Sequence, residues 1–294
     1  MSHRRFALNG ETLKLDDALR QNIPGTFIKL PDGYTWYELS GPADGQPVVF
    51  INGYSVPHYL WDYTFRPLAD AGFRVLRFDH FGRGWSDRPD VNYDPNLFDR
   101  QIHALLNALE IHRPVTLVGS SMGGIVASIF ATNHPGLVDK LVLIDPAGVM
   151  PPPKWPKSLL LIPILGEMIL HLTGNRTLPS GMAEDLLYPE RFSEYVTCYL
   201  PQMKITGFKR AILSTFRTGI LWNKRDVYRQ LGELDIPILL LWGEHDRTVP
   251  IVCGEEIREL MPHAVWHLIE NTGHVPHYEQ PDVVNPLIIN FLNR

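Results

Sequence analysis

Gly119-Ser120-Ser121-Met122-Gly123 sets a serine two residues from a glycine on either side, at the end of the apolar run V-T-L-V-G and the start of a small-residue helical pattern. A strand that turns this sharply into a helix tolerates only small residues two before and two after the turning point. Its strained backbone pushes the serine Oγ out above the strand's carboxyl end. That is the placement of a nucleophile. The N–H of Met122, at the start of the helix, then points to where negative charge develops on an attacked carbonyl. Two other uses of such a turn exist: a glycine-rich helix start that only packs tightly, and a phosphate cradle. A phosphate loop needs Lys after the last glycine, where Ile125 stands, and the stretch offers no G-x-G-x-x-G.

A neutral serine attacks poorly, so a base and an orienting acid must accompany Ser121. Among the twelve histidines, His274 sits in E-N-T-G-H-V-P-H-Y-E-Q-P (270–281), in a loop that follows the last apolar run. His277, three residues on, competes with it, and the alternative for His277 is packing or solvent. For the acid, L-L-L-W-G-E-H-D-R-T-V-P (239–250) places Asp246 after the preceding run, and its rival Asp145 ends L-V-L-I-D one run earlier. Glu244 and Asp235 stand in less suitable places.

These side chains converge only if strands alternate with helices. Short β-branched and aromatic runs do alternate with longer helical patterns, the form of a mostly parallel sheet covered on both faces. Eight runs are expected in the sheet: 26–30, 35–40, 48–52, 73–79, 115–119, 141–145, 238–243 and 264–270. The first two, joined by P-D-G-Y, read as an antiparallel edge hairpin. Helices are expected near 60–71, 97–110, 122–134, 253–261 and 282–293. The rhythm breaks from Pro146 to Lys224, where a proline-rich passage leads into helical patterns without strand signals. The expected division is therefore a core of 1–145 and 225–294 and a helical cap of 146–224.

Bulk properties narrow the class. With 294 residues, 45% of them hydrophobic, and a net charge of -5, the chain carries no basic footprint for nucleic acid. Two distant cysteines, Cys198 and Cys253, make neither a metal spacing nor a disulfide framework, which points to small buried hydrophobes in a reducing cytoplasm. The N-terminus has no apolar segment of a signal peptide. The most apolar run, Ser158–Leu172, is shorter than the ~20 residues a bilayer span needs and contains Pro163, Gly166 and Glu167. It remains a candidate for an adhesive lid helix.

Four motifs in order carry a family resemblance: D-H-F-G-R-G-W-S-D (79–87), G-S-S-M-G-G (119–124), W-G-E-H-D-R-T-V-P (242–250) and N-T-G-H-V-P-H-Y-E-Q-P (271–281). With them, from about residue 25 to the end, the chain resembles the α/β-hydrolase superfamily, whose triad runs Ser, Asp, His along the sequence. The resemblance implies the α/β-hydrolase fold and a second oxyanion donor from the loop after the third strand, usually written H-G-x. Here that loop reads Asn52-Gly53-Tyr54, so Asn52 replaces the histidine and the Tyr54 N–H becomes the donor. The Tyr54 ring either closes an acyl pocket or packs. Asp79 and Arg83 are expected to brace their loop beside the nucleophile, and Trp61 and Trp85 either line the site or fill core. Phe216 and Trp222 of the cap, with Asn52, Gly53 and Val275, are candidates for substrate contact.

A serine at the elbow argues against the haloalkane dehalogenases and the many epoxide hydrolases that carry Asp there. The expectation is acyl transfer to water: a serine carboxylesterase acting on small to medium hydrophobic esters, as monomer or homodimer, with no metal or organic cofactor implied. Alternatives are hydrolysis of C–C bonds in meta-cleavage products, lactonase or cofactor-free haloperoxidase activity, and a non-catalytic binding protein on the same fold.

Overall fold

The eight runs pair into one sheet, its central strands buried on both faces and its edge strands only in part. They form β1 (Thr26–Leu30), β2 (Gly33–Ser40), β3 (Pro47–Ile51), β4 (Arg74–Phe78), β5 (Val115–Ser120), β6 (Val138–Ile144), β7 (Ile238–Gly243) and β8 (Val265–Ile269) in a computed structural model that describes residues 8–294. The order across the sheet is β1-β2-β4-β3-β5-β6-β7-β8. β1 with β2, and β2 with β4, run antiparallel; the other pairs are parallel. The hairpin is tighter than the sequence suggested, since Leu30 pairs with Gly33 and the turn shrinks to Pro31-Asp32. This is the mostly parallel α/β-hydrolase sheet that the motifs implied.

Successive residues of each central strand enter opposite layers. Val48, Phe50, Val118, Val142 and Leu241 join one buried cluster, while Val49, Ile51, Leu117, Leu143 and Leu240 join the other. Each such side chain contributes roughly 1.5–3 kcal/mol on full burial, so continuous apolar strands are held from both sides. Helices Asp62–Asp70, Pro95–Ala108, Met122–Asn133, Ile251–Leu260 and Pro281–Leu292 supply the covering layers. The second begins two residues earlier than its apolar periodicity because Asp94 caps it, accepting from Leu97 N at 2.9 Å, with Pro95 in the first turn.

Between β6 and β7 the chain adds no strand to the sheet. Helices Leu165–Glu184, Ser193–Thr197, Leu200–Met203 and Phe208–Arg217 fill most of that excursion. Its ends meet at a narrow neck: Met150 bridges Trp222, Gly148 N donates to Leu221 O, and Lys224 N donates to Gly148 O. Cys253 is buried, whereas Cys198 is an exposed thiol and not the buried hydrophobe expected of it; both are free. Among the described residues, no helix is long and apolar enough to cross a membrane.

Candidate active site

Five strand ends place the candidate groups on one edge of the sheet. β3 leads into Asn52-Gly53-Tyr54, β5 into Ser121, β6 into Asp145, β7 into Asp246 and β8 into His274. The carboxyl edge of a parallel sheet is where open α/β folds build their sites.

Ser121 sits at φ 55°, ψ -119°, between β5 and the helix Met122–Asn133. Few non-glycine residues adopt this conformation, which costs of order 1–3 kcal/mol. Backbone bonds hold it: Ser121 N donates to Ile144 O at 2.9 Å, while Gly124 N and Ala147 N, each at 3.0 Å, both donate to Ser121 O. The flanking glycines are obligatory in this packing. A Cβ on Gly119 would lie 2.3 Å from Gly123 O, and one on Gly123 would lie 2.0 Å from Ile51 O. Gly53 packs on the serine itself, where a Cβ would meet Ser121 Cβ at 3.6 Å. The loop carrying Tyr54 therefore lies against the elbow. Met122 opens the helix, so its N–H has no acceptor one turn back.

His274 Nδ1 pairs with Asp246 Oδ2 at 2.6 Å, and both side chains are buried. Asp246 Oδ1 accepts from Thr248 N and Val249 N, each at 2.8 Å. Burial alone would depress the His274 pKa. The Asp246 charge, its hydrogen bond and the Asp185 charge outweigh burial and hold the imidazole above the ordinary value of 6.5. Ser121 Oγ makes no side-chain hydrogen bond among the described residues. Such contacts often form only with substrate in place. Ser121 and His274 line one cavity of about 740 Å³, together with Gly53, Tyr54, Phe216 and Val275. A larger groove of about 1160 Å³, between the N-terminal segment and the helix Phe208–Arg217, contains none of these residues.

Asp145 stands beside the pair without joining the imidazole. One ligand atom each from Asp145, Asp246 and His274 fall within 4.8 Å of one another. Among the described residues Asp145 receives a single backbone bond, from Gly243 N at 2.8 Å, and its Oδ2 has no partner. Burial, then the adjacent Asp246 charge, raise its pKa well above the carboxylate range. With three donors on Asp246 and one on Asp145, the proton belongs on Asp145.

Two sequence candidates for substrate contact lie elsewhere. Asn52 is fully buried, donating to Phe78 O at 2.8 Å and accepting from Trp61 Nε1 at 2.8 Å, so both ends of its amide are committed. Trp222 packs edge-on against Phe216, outside the cavity wall. The Tyr54 ring does both things considered for it: it lines the cavity, and its hydroxyl donates to Ile212 O at 2.7 Å. Arg83 is buried and braces the same loop, donating from Nε to Tyr54 O at 2.8 Å and from Nη2 to Thr215 Oγ1 at 2.9 Å. Asp79 accepts from His58 N at 2.7 Å and Trp85 N at 2.9 Å. His277 is fully buried against Trp61, with ring centroids 4.6 Å apart.

Sequence reasoning missed two carboxylates. Glu279 accepts from Gly273 N at 2.6 Å and Leu187 N at 2.8 Å, tying the histidine loop to the inserted helices. Its place in H-V-P-H-Y-E, within the histidine motif, was the available signal. Asp185 accepts from Thr248 Oγ1 at 2.7 Å, and its carbonyl accepts from His274 N at 2.7 Å. No periodicity or spacing in the sequence marks it.

The sequence profile described as "Alpha/beta hydrolase family" matches residues 48–287. The chain is 29% identical over 273 residues to the AB hydrolase superfamily protein YisY of Bacillus subtilis, covering 92% of this chain and 99% of that protein. It is 31% identical over 284 residues to a 2-hydroxy-6-oxononadienedioate/2-hydroxy-6-oxononatrienedioate hydrolase of Cupriavidus pinatubonensis, covering 90% of this chain and 94% of that one. A meta-cleavage product hydrolase of Pseudomonas fluorescens, CumD, superposes with a TM-score of 0.75 at 25% identity, covering 92% and 97% of the two chains.

Proposed function

Because the chain belongs to the alpha/beta hydrolase family, we propose that it is a serine hydrolase that cleaves carboxylic esters of small to medium hydrophobic substrates through an acyl-enzyme on Ser121. The observation that carries the proposal is the buried 2.6 Å His274–Asp246 pair, whose histidine shares a cavity with a strained Ser121 on which Gly53 packs. His274 takes the Ser121 proton as Oγ attacks the ester carbonyl. The N–H groups of Tyr54 and Met122 receive the oxyanion, and the alcohol leaves with the proton from His274. Water, deprotonated by His274, then attacks the acyl-enzyme and frees Ser121. Asp246 holds the imidazole tautomer and stabilises the imidazolium. Residues 146–224 act in this reading as a cap that supplies Phe216, Leu160 and Leu170 to the apolar wall.

A second reading shares the same serine and base but breaks a C–C bond in an acidic vinylogous diketone. Two of the similar proteins carry names of that reaction class, and one such name describes a dicarboxylate. Lys157 and Arg247 at the exposed edge of the cavity favour a carboxylate beside them, although Glu184 and Asp185 line the same cavity.

The test begins with a fluorophosphonate and intact mass: one adduct is expected, on Ser121, and none on Ser121→Ala. Absence of the adduct in folded protein would defeat the serine-hydrolase reading. p-Nitrophenyl esters of rising chain length are then set against a ring-fission dienoate. The ester reading expects turnover of the esters, with Arg247→Gln leaving their KM unchanged. Preference for the dienoate, with KM raised by Arg247→Gln, would favour the second reading.

A further inference from the structure

The segment that lines one side of the cavity turns an apolar, cationic face outward. Trp155, Ile164 and Leu172 are 78%, 75% and 74% exposed, more than any other large hydrophobic of the described residues, and Ile162 and Met168 are exposed beside them. The short helix Lys157–Leu161 buries no residue completely, and the long helix Leu165–Glu184 that packs on it buries only Gly166, Leu170, Gly174 and Met182. Water is a poor partner for a surface of this kind, which marks a contact site.

Charge says what the partner is. The whole chain carries -5, yet between residues 154 and 176 the charged side chains are Lys154, Lys157 and Arg176 against Glu167 alone, with Glu184 and Asp185 following only at the far end of the long helix. Glu167 is neutralised by Arg217, at 2.5 and 2.8 Å. Met168, Leu172 and Arg176 follow one another at four-residue steps along the helix, so the apolar stripe ends in a cation. Exposed tryptophan, aliphatic side chains and lysines within one segment have the composition that lies in a bilayer interface. A second copy would bring the same cationic patch to the interface with no acidic patch to answer it among residues 154–176 except Glu167, which Arg217 already holds.

The cavity opens at the same place. Pro156, Lys157, Thr173 and Thr177 are exposed and also line the cavity that holds Ser121. We propose that residues 154–176 form a docking surface that seats the protein on an anionic lipid bilayer, with the cavity mouth turned toward the lipid. An apolar ligand dissolved in that bilayer then reaches the cavity without crossing bulk water.

Co-sedimentation of the full chain with vesicles tests this without any turnover, so the result is independent of the reaction assigned to the cavity. Binding is expected to vesicles of phosphatidylcholine containing phosphatidylglycerol and to weaken as salt rises. It should fall about tenfold or more in Trp155→Ala/Leu172→Gln and in Lys154→Glu, none of which lines the cavity. Circular dichroism and the thermal midpoint verify that the variants fold. No binding to the anionic vesicles, equal binding to pure phosphatidylcholine, or binding that both variants retain overturns the proposal. So does a wild-type dimer in sedimentation velocity that both variants dissolve, which would make a second copy the occupant.

Discussion

His274 is buried, and burial should keep a histidine neutral to low pH. Asp246, through its charge and its 2.6 Å contact, and Asp185, through its charge, reverse that tendency. The proposed base works only when neutral, so kcat/KM should disappear as pH falls through an apparent pKa above 6.5. A pH–rate profile with its acid limb below that value would contradict the pairing. Asp246→Asn should lower kcat by roughly 10⁴, because the imidazole loses its tautomer control and its counter-charge. Asp145→Asn should change kcat by only about a few-fold, since Asp145 is already the neutral member of the pair and an amide replaces a carboxylic acid. If the two variants exchange their effects, the proton and the role both belong the other way round. The sequence favoured Asp246, which follows its strand in a loop, but kept Asp145 as a rival because it directly ends the apolar run before. The difference arises afterwards, in whether the following loop turns two N–H groups back onto the carboxylate, as Thr248 and Val249 do. Asn52 was misjudged for a different reason: its motif position is beside the site, but the partners that consume its amide come from Trp61 and the more distant Phe78.

The elbow, as an element, is built on one close approach. Gly123 lies so near β3 that a methyl group would sit 2.0 Å from Ile51 O. Alanine in a helix is intrinsically favoured over glycine by about 1 kcal/mol, but a backbone oxygen cannot rotate away, and overpacking costs typically 1–3 kcal/mol or more. Gly123→Ala should therefore lower the urea midpoint clearly, whereas Gly136→Ala, with nothing within 4 Å of the added carbon, should not. Equal midpoints would show that the elbow relaxes more freely than its contacts allow. Elements were the most legible level of this chain. Two-sided burial writes itself as unbroken apolar runs in the central strands, and β-branched and aromatic residues mark the edge strands, so all eight strands and their flanking helices stand out. Ends were less legible where caps decide them: Asp94 starts its helix ahead of the apolar pattern, and the β1–β2 turn needs only Pro31-Asp32. The outward face of Leu165–Glu184 was harder still, because an apolar run reads the same whether it points into a core or into solvent.

Two histidines extend the effect of burial to the whole molecule. His80 and His277 are fully buried, and burial pushes the pKa of each down to about 3. Unfolded, each takes a proton near 6.5. Stability from keeping them neutral is complete above that pH and is lost as pH falls from 6.5 toward 3, because only the unfolded chain binds those protons. Thermal midpoints should therefore drop through this window, and His277→Gln should flatten the drop by one proton's share, about 1.4 kcal/mol per pH unit at most. Parallel curves for the two proteins would show that His277 is already protonated when folded. At this scale one more property follows from the neck, where Gly148 and Met150 meet Leu221, Trp222, Asn223 and Lys224 through backbone bonds. A segment whose two ends touch leaves no gap in the frame when it is removed. Evolution could exchange most of the excursion for another of different length, or a designer could graft one in, provided the replacement keeps Asp185 and Leu187, which hold His274 N and Glu279. Heredity can thus vary what enters the molecule separately from what happens to it there.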